Sequence, residues 1–247
     1  MQRPQDIWLD HLQSATHYNQ WIFSHIQPHI KGRTLEVGCG NGNFTTLIAQ
    51  HCPQLLAVDL DPTYTQQTQA RLQAYDHVKV LTADATTLAC AQSFDTIIML
   101  DVLEHIADDV SILRRLSQYL APGGTLILKV PALDTLYNSL DQAVGHHRRY
   151  TPKTLEATLS CANFLAPTLQ YFNMVGIFGW WLNGQLQRTN PPGEQVGWFD
   201  RCVPLFQSVE TTLGCPVGLS LFAVATYSNG PNNQSAAAKT LEALPLQ

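Results

Sequence analysis

Two rhythms of apolar and polar positions alternate along the chain. Short, mostly apolar runs fall at 34–37, 55–58, 78–81, 94–100 and 125–130. Each is bounded by Gly, Pro, Asn or Asp, the pattern of strands buried in a sheet. Between them, 44–51, 63–74 and 108–120 read as helices, the last amphipathic and stopped by Pro122-Gly123-Gly124. Strands alternating with helices in this way predict an α/β fold with a parallel sheet covered on both faces. The first thirty residues read as helical up to Pro28, with Ile7, Trp8, His11 and Leu12, then Tyr18, Trp21, Ile22 and Ile26, near helical spacing. Beyond Pro131 the alternation loosens. A helix is predicted over 151–159, with Thr151 as its N-cap and Pro152 at its first position. A sixth strand is predicted over 169–173, an apolar helix over 174–186, and a last strand over 218–227. From about 228 onward Asn, Gln, Ser and Ala dominate, the composition of a mobile tail.

Composition narrows the class. Hydrophobic residues make up 45% of the 247, enough for a sizeable core, so the chain is folded rather than disordered. A net charge of -5 supplies no global basic field for nucleic acid or anionic lipid. The six cysteines form no C-x-x-C pair, and their places in apolar runs suit buried free thiols in a reducing, cytoplasmic compartment. No signal peptide is legible. The longest apolar block, near 174–182, is shorter than the roughly 20 residues a bilayer span needs.

The candidate chemistry begins at the first strand. It ends in Gly38-Cys39-Gly40-Asn41-Gly42, and a helix follows, the layout of a nucleotide-binding turn. Three acids follow at strand ends: Asp59, about 17 residues beyond Gly42, then Asp84 and Asp101. A carboxylate at Asp59 suits ribose hydroxyls, and one at Asp84 suits an adenine amine. Each acid alone could be an ordinary helix cap or turn residue. A pyrophosphate would call for cations in these loops, so their acidity favours a cationic adenosine compound. Asn43 stands where the dehydrogenase fingerprint has Gly or Ala, which makes an NAD-dependent oxidoreductase the poorer reading.

These residues resemble class I S-adenosylmethionine-dependent methyltransferases. Leu35-Glu36-Val37-Gly38-Cys39-Gly40-Asn41-Gly42 is similar to their first motif and Ala57-Val58-Asp59-Leu60-Asp61-Pro62 to the second. Asp84-Ala85, the run from Phe94-Asp95 to Asp101-Val102-Leu103-Glu104-His105, and Leu120-Ala121-Pro122-Gly123-Gly124 resemble the later ones, in the family's order. The resemblance covers roughly 35–131. It implies a Rossmann-like, doubly wound sheet of seven strands, mostly parallel with the last antiparallel, and S-adenosylmethionine as cofactor. Its expected domains are a helical lid over 1–30, a methyltransferase domain over 31–228 with an insertion at about 174–216, and a flexible tail over 229–247. Glu36 and Gly38 would hold the methionine amino group, Gly40 and Gly42 would let the cofactor lie against the loop, Asp59 would bind ribose, and Leu60 would pack on adenine. Asp84 and Ala85 would meet the adenine edge, and Cys39, Asp101, Val102 and Tyr18 complete the expected cofactor set.

Methyl transfer to oxygen or nitrogen needs a route for a proton. His105 is the first candidate base and His146 the second. Asp101-x-x-Glu104-His105 resembles the E-x-x-E-H metal motif of quinone-precursor O-methyltransferases, but Asp101 replaces its first Glu, so no metal is expected, and Asp101, Glu104 and His105 are the weak candidates. The basic run His147, Arg148, Arg149 and Tyr150 is the candidate acceptor contact. No Asn-Pro-Pro-Tyr-type tetrapeptide follows the central strand, which argues against nucleic acid as acceptor. The expected activity is methylation, most simply at oxygen, of a small-molecule or lipid- or saccharide-linked acceptor. A cofactor-binding protein without catalysis is the alternative. The apolar segment 174–186, with Phe178, Trp180 and Trp181, raises a peripheral membrane contact or a pocket lining for a lipid-linked acceptor, against core packing or a dimer contact.

Overall fold

The computed structural model describes residues 3–90, 93–189 and 192–227. The tail expected from 229 lies outside them. Seven strands form one sheet: β1 (Arg33–Val37), β2 (Gln54–Asp59), β3 (Val78–Thr82), β4 (Phe94–Leu100), β5 (Leu120–Pro131), β6 (Phe164–Phe172) and β7 (Ser220–Tyr227). Their order is β3-β2-β1-β4-β5-β7-β6. β7 runs antiparallel to both β5 and β6, and the other pairings are parallel. Strand order reverses between β1 and β4. Open α/β sheets bind ligands at that switch point, beyond the carboxyl ends of the strands.

Helices α1 (Pro4–Ser14), α2 (Thr16–Ile26), α3 (Asn43–Ala49), α4 (Pro62–Arg71), α5 (Asp109–Ser117), α6 (Ser139–Val144), α7 (Pro152–Cys161), α8 (Gly176–Gln185) and α9 (Gly193–Leu213) complete the fold. The period-two geometry of a strand divides the core. Leu35, Val37, Ile97, Met99, Leu126 and Leu128 point to one face, where Ile112, Leu113 and Leu116 of α5 and Leu155 and Leu159 of α7 cover them. Ile98, Ile127 and Phe222 point to the other, against Trp21, Ile22 and Ile26 of α2 and Ile48 of α3. That two-sided burial is why the strands read as continuous apolar runs.

The amino-terminal segment is two helices rather than one, because the chain turns at Ala15 (φ -86°, ψ 70°). Two helices were not legible. α6 has six residues and is fixed by reciprocal capping between Asn138 and Asp141. α9 carries Pro204 in its interior and an outer face with exposed Leu205 and Leu213, so its periodicity is blurred. The cysteines are free, but only Cys39 and Cys52 are buried and Cys161 is exposed, against the expectation of uniformly buried thiols. No helix among the described residues is long and apolar enough to cross a membrane.

Candidate functional site

The glycine turn leaves β1 at the switch point. The Gly38 backbone N–H donates to the Val58 carbonyl at 2.8 Å, which ties the turn to β2. Gly38 has φ +78°, and a Cβ there would stand 2.3 Å from a methyl carbon of Val102, so both its conformation and its contact require glycine. Just before the turn, Glu36 is buried with Oε2 unpartnered. Burial pushes its pKa up to about 7. At the end of β2, Asp59 accepts the Gly40 N–H at 2.8 Å through Oδ2 and the Asp61 N–H at 3.0 Å through Oδ1. Leu60 beside it is 71% exposed. After β3, Asp84 accepts from the backbone and hydroxyl of Thr86, which hold its pKa below the ordinary range, and Ala85 is half-buried next to it. Cys39 is buried, and burial pushes its thiol pKa well up, so it is a packed thiol within the turn.

Helix α1 lies across this turn. The Asn41 side-chain amide donates to the Leu9 carbonyl at 3.3 Å, and a Cβ on Gly40 would stand 3.3 Å from the Leu9 side chain. Arg3 pairs with Asp61 at 2.7 Å, and the Tyr64 hydroxyl donates to Asp6 at 2.5 Å. The expected lid is thus clasped to α4 through polar contacts at its first turn.

Beyond β4 a second group of charges gathers. Asp101 has φ +53°, an uncommon conformation that Asp tolerates, and its carboxylate receives both bonds of the Lys129 ammonium at 2.5 and 2.7 Å. The strand register explains the meeting: Leu100 of β4 pairs with Lys129 of β5. Glu104 is wholly buried, neither carboxylate oxygen has a hydrogen-bond partner, and burial, reinforced by the nearby Asp101 charge, raises its pKa well above the usual range. His146 stands 3.7 Å from it through Nε2, while its Nδ1 lies 2.8 Å from Asp141. The His105 and His146 rings meet edge to face at 4.7 Å, and burial with the neighbouring His146 lowers the His105 pKa to about 4.

The basic run divides. Arg149 is buried, bonds Asp141 at 2.9 Å and the Ala132 carbonyl at 2.8 Å, and lies over the Trp180 ring. Arg148 and Tyr150 both turn to Asp109 at the start of α5, at 2.8 and 2.9 Å, so these two expected acceptor contacts anchor a helix. His147 is exposed, and its backbone N–H donates to the Glu104 carbonyl. Among Glu104, His105 and His146, each offers one ligand atom within 4.8 Å of the others. Asp101, the third weak metal candidate, is committed to Lys129 instead.

A cavity of about 520 Å³ opens against this group. Asp101, His105, Lys129, His146 and Arg149 line it on one side, and α1, α2, α8 and α9 supply most of the remainder, including Trp8, Leu12, Tyr18, Phe178, Trp180 and Phe199, with Leu140 and Val144 of α6 and Pro131 and Ser220 of the strands beside them. Tyr18 packs by its ring against Trp21, Phe172 and Phe199, so it belongs to the aromatic wall of this cavity. Pocket lining by the apolar segment 174–186 was one of the readings open from the sequence, and α8 does line the cavity; the share of α9 was unread, and Trp8 and Trp180 stack across 171 intervening positions.

Comparison with known proteins agrees with the geometry. The family described as "methyltransferase domain" matches residues 35–128. Residues 35–128 thus carry the methyltransferase-domain match, and the fold is that of S-adenosylmethionine-dependent methyltransferases. Nodulation protein S of Bradyrhizobium diazoefficiens is 35% identical to this domain over 96 residues, 38% of this chain and 46% of that protein. Trans-aconitate 2-methyltransferase of Azoarcus sp. is 31% identical over 133 residues, 54% of this chain and 50% of that protein. The chain thus spans about half the length of the curated relatives it matches. The crystal structure of the N-methyltransferase NodS from Bradyrhizobium japonicum, bound to S-adenosylhomocysteine, superposes with a TM-score of 0.56 at 16% identity, covering 87% of this chain and 86% of that one. At that identity the likeness is one of fold, and the methyltransferase domain here has the same architecture, with its antiparallel strand inserted at one side of the sheet.

Proposed function

We propose that this protein transfers the methyl group of S-adenosylmethionine to a small-molecule or lipid-linked acceptor, at oxygen. The observation that carries the reading is the gathering of Glu36, Asp59 and Asp84 at the carboxyl ends of neighbouring strands by the switch point, next to Asp101, which lines the cavity. The crevice suits the cofactor. Glu36 offers an unpaired buried oxygen to an ammonium group, Asp59 to ribose, Asp84 to an adenine amine, and exposed Leu60 an apolar face to the ring. When bound, the cofactor supplies an already activated methyl group on a sulfonium.

The chain's own residues do the rest. The glycine turn and α1 enclose the cofactor and exclude water. The cavity wall aligns the acceptor, and alignment alone can contribute several kcal/mol, of the order of 7 or more at best. His105 lines the cavity with His146 beside it, and its imidazole, uncharged at pH 7 because burial lowers its pKa to about 4, can accept a hydrogen bond from the acceptor hydroxyl and take its proton as the methyl transfers. Asp141 holds His146 by Nδ1.

A second reading places a divalent cation at Glu104, His105 and His146. The two unpartnered Glu104 oxygens favour it, since an ionised carboxylate so deeply buried needs a cation or a proton. One assay separates these readings. Labelled methyl transfer into small-molecule and lipid extracts should occur with the wild type and fall about 100-fold or more in His105→Ala, with S-adenosylhomocysteine binding kept. Dialysis against a chelator should leave the rate unchanged. Loss of rate restored by a divalent cation would select the metal reading, and absence of any labelled product would select a cofactor-binding protein without catalysis.

A further inference from the structure

We infer that the acceptor is an uncharged, largely apolar molecule with its nucleophile at one end, and that the cavity discriminates against anionic acceptors. This rests on the methyltransferase reading and names the substrate class of that site. The first observation is the state of the cavity's cations. Among the described residues that line it, the only Lys or Arg side chains are Lys129 and Arg149. Lys129 gives bonds to both oxygens of Asp101, and Arg149 is engaged by Asp141, by the Ala132 carbonyl and by the Trp180 ring. Both cations are already neutralised by a buried or half-buried carboxylate. A carboxylate or phosphate on the acceptor would have to shed its hydration and break one of these pairs to find a partner. Removing one partner of a buried pair leaves the other charge unpaired, which is strongly unfavourable.

The second observation is the distribution of polar groups. His105, His146 and the two ion pairs sit together toward the sheet, while the enclosing helices contribute Trp8, Leu9, Leu12, Phe178, Trp180 and Trp198, with uncharged Gln5, Asn183 and Gln195 as their polar lining and the Asn183 amide donating to Gln195 at 3.0 Å. Such a wall rewards apolar surface roughly in proportion to the area it removes from water. Phe178 and Trp198 line the cavity yet are each 67% exposed, so the apolar lining continues to the mouth. An acceptor can therefore leave an apolar tail at the rim with its reactive hydroxyl inward beside His105.

The test uses three probes and the intrinsic tryptophan fluorescence, since Trp8, Trp180 and Trp198 all face the cavity. Decan-1-ol, decanoate and trans-aconitate are titrated into the full-length protein at pH 7.5, and S-adenosylhomocysteine binding is measured on the same sample. The expected result is a saturable change with decan-1-ol at one equivalent, at least tenfold weaker binding of decanoate, and none of trans-aconitate. Decanoate or trans-aconitate binding as tightly as the alcohol would overturn the inference, as would a decan-1-ol signal that does not saturate, because that signature belongs to adsorption on the exposed rim. If S-adenosylhomocysteine binds and decan-1-ol does not, the acceptor assignment fails alone. Loss of S-adenosylhomocysteine binding in a folded sample fails the methyltransferase reading beneath it.

Discussion

Glu36 shows how far a single residue can be read before its surroundings are known. Its place at the end of β1 was legible from the motif it shares with the superfamily, but its depth was not. Buried with one oxygen unpaired, it titrates near pH 7 rather than in the ordinary carboxylate range. The sign of the consequence follows from linkage. A raised acid pKa means the folded chain holds a proton that the unfolded chain releases, so this group's contribution to stability falls as pH rises from about 4.5 to 7. A cationic amino group binds the carboxylate, so ligand affinity should move the opposite way. Calorimetric titration of S-adenosylhomocysteine should give an affinity that rises from pH 5.5 to 7 and levels off above it. Glu36→Gln should bind more weakly with a flat profile over that range. An unchanged profile in the variant would remove Glu36 from the site. Asp101 is the opposite case: it reads as one more free acid, and only the pairing of Leu100 with Lys129 across two strands reveals its cation.

At the scale of elements, the strands were the most legible because two-sided burial writes an unbroken apolar run into each. The predicted strand over 94–100 coincides with β4, whereas β5 begins five residues before its predicted start, passing through Gly123 and Gly124. The helices closing the site were harder to read. α6 is too short to show a period, and α9 packs on the core through few residues while presenting large apolar ones outward. The glycine turn is the element whose chemistry was clearest, and it makes a sharp prediction. Gly38→Ala combines left-handed strain, about 1–3 kcal/mol, with a clash against Val102. It should lower the melting temperature and abolish S-adenosylhomocysteine binding. Gly145→Ala serves as the control: that glycine is also left-handed, at φ +85°, but a Cβ there meets nothing within 4 Å, so cofactor binding should survive it. Equal loss of binding in both variants would mean that general destabilisation, not the turn, is being measured.

The whole molecule joins a seven-stranded sheet to a roof drawn from both ends of the chain. Five of the seven strands, with the glycine turn and the acids at the strand ends, were readable from residues 35–131, where local motifs carry the information. The cavity was not, because α1, α2, α8 and α9 converge on it from both ends of the chain and no local pattern encodes their meeting. The basic run at 147–150 illustrates the same limit: its charge is plain in the sequence, but the partners that bind it, Asp109 and Asp141, are fixed only by the fold. What the entire account requires is that the acid-lined crevice receive a cationic adenosine ligand. Isothermal titration of the intact protein at pH 7.5 with S-adenosylmethionine, and separately with NAD, tests this most directly. One equivalent of S-adenosylmethionine should bind with measurable heat while NAD gives none; heat from NAD alone would contradict the account.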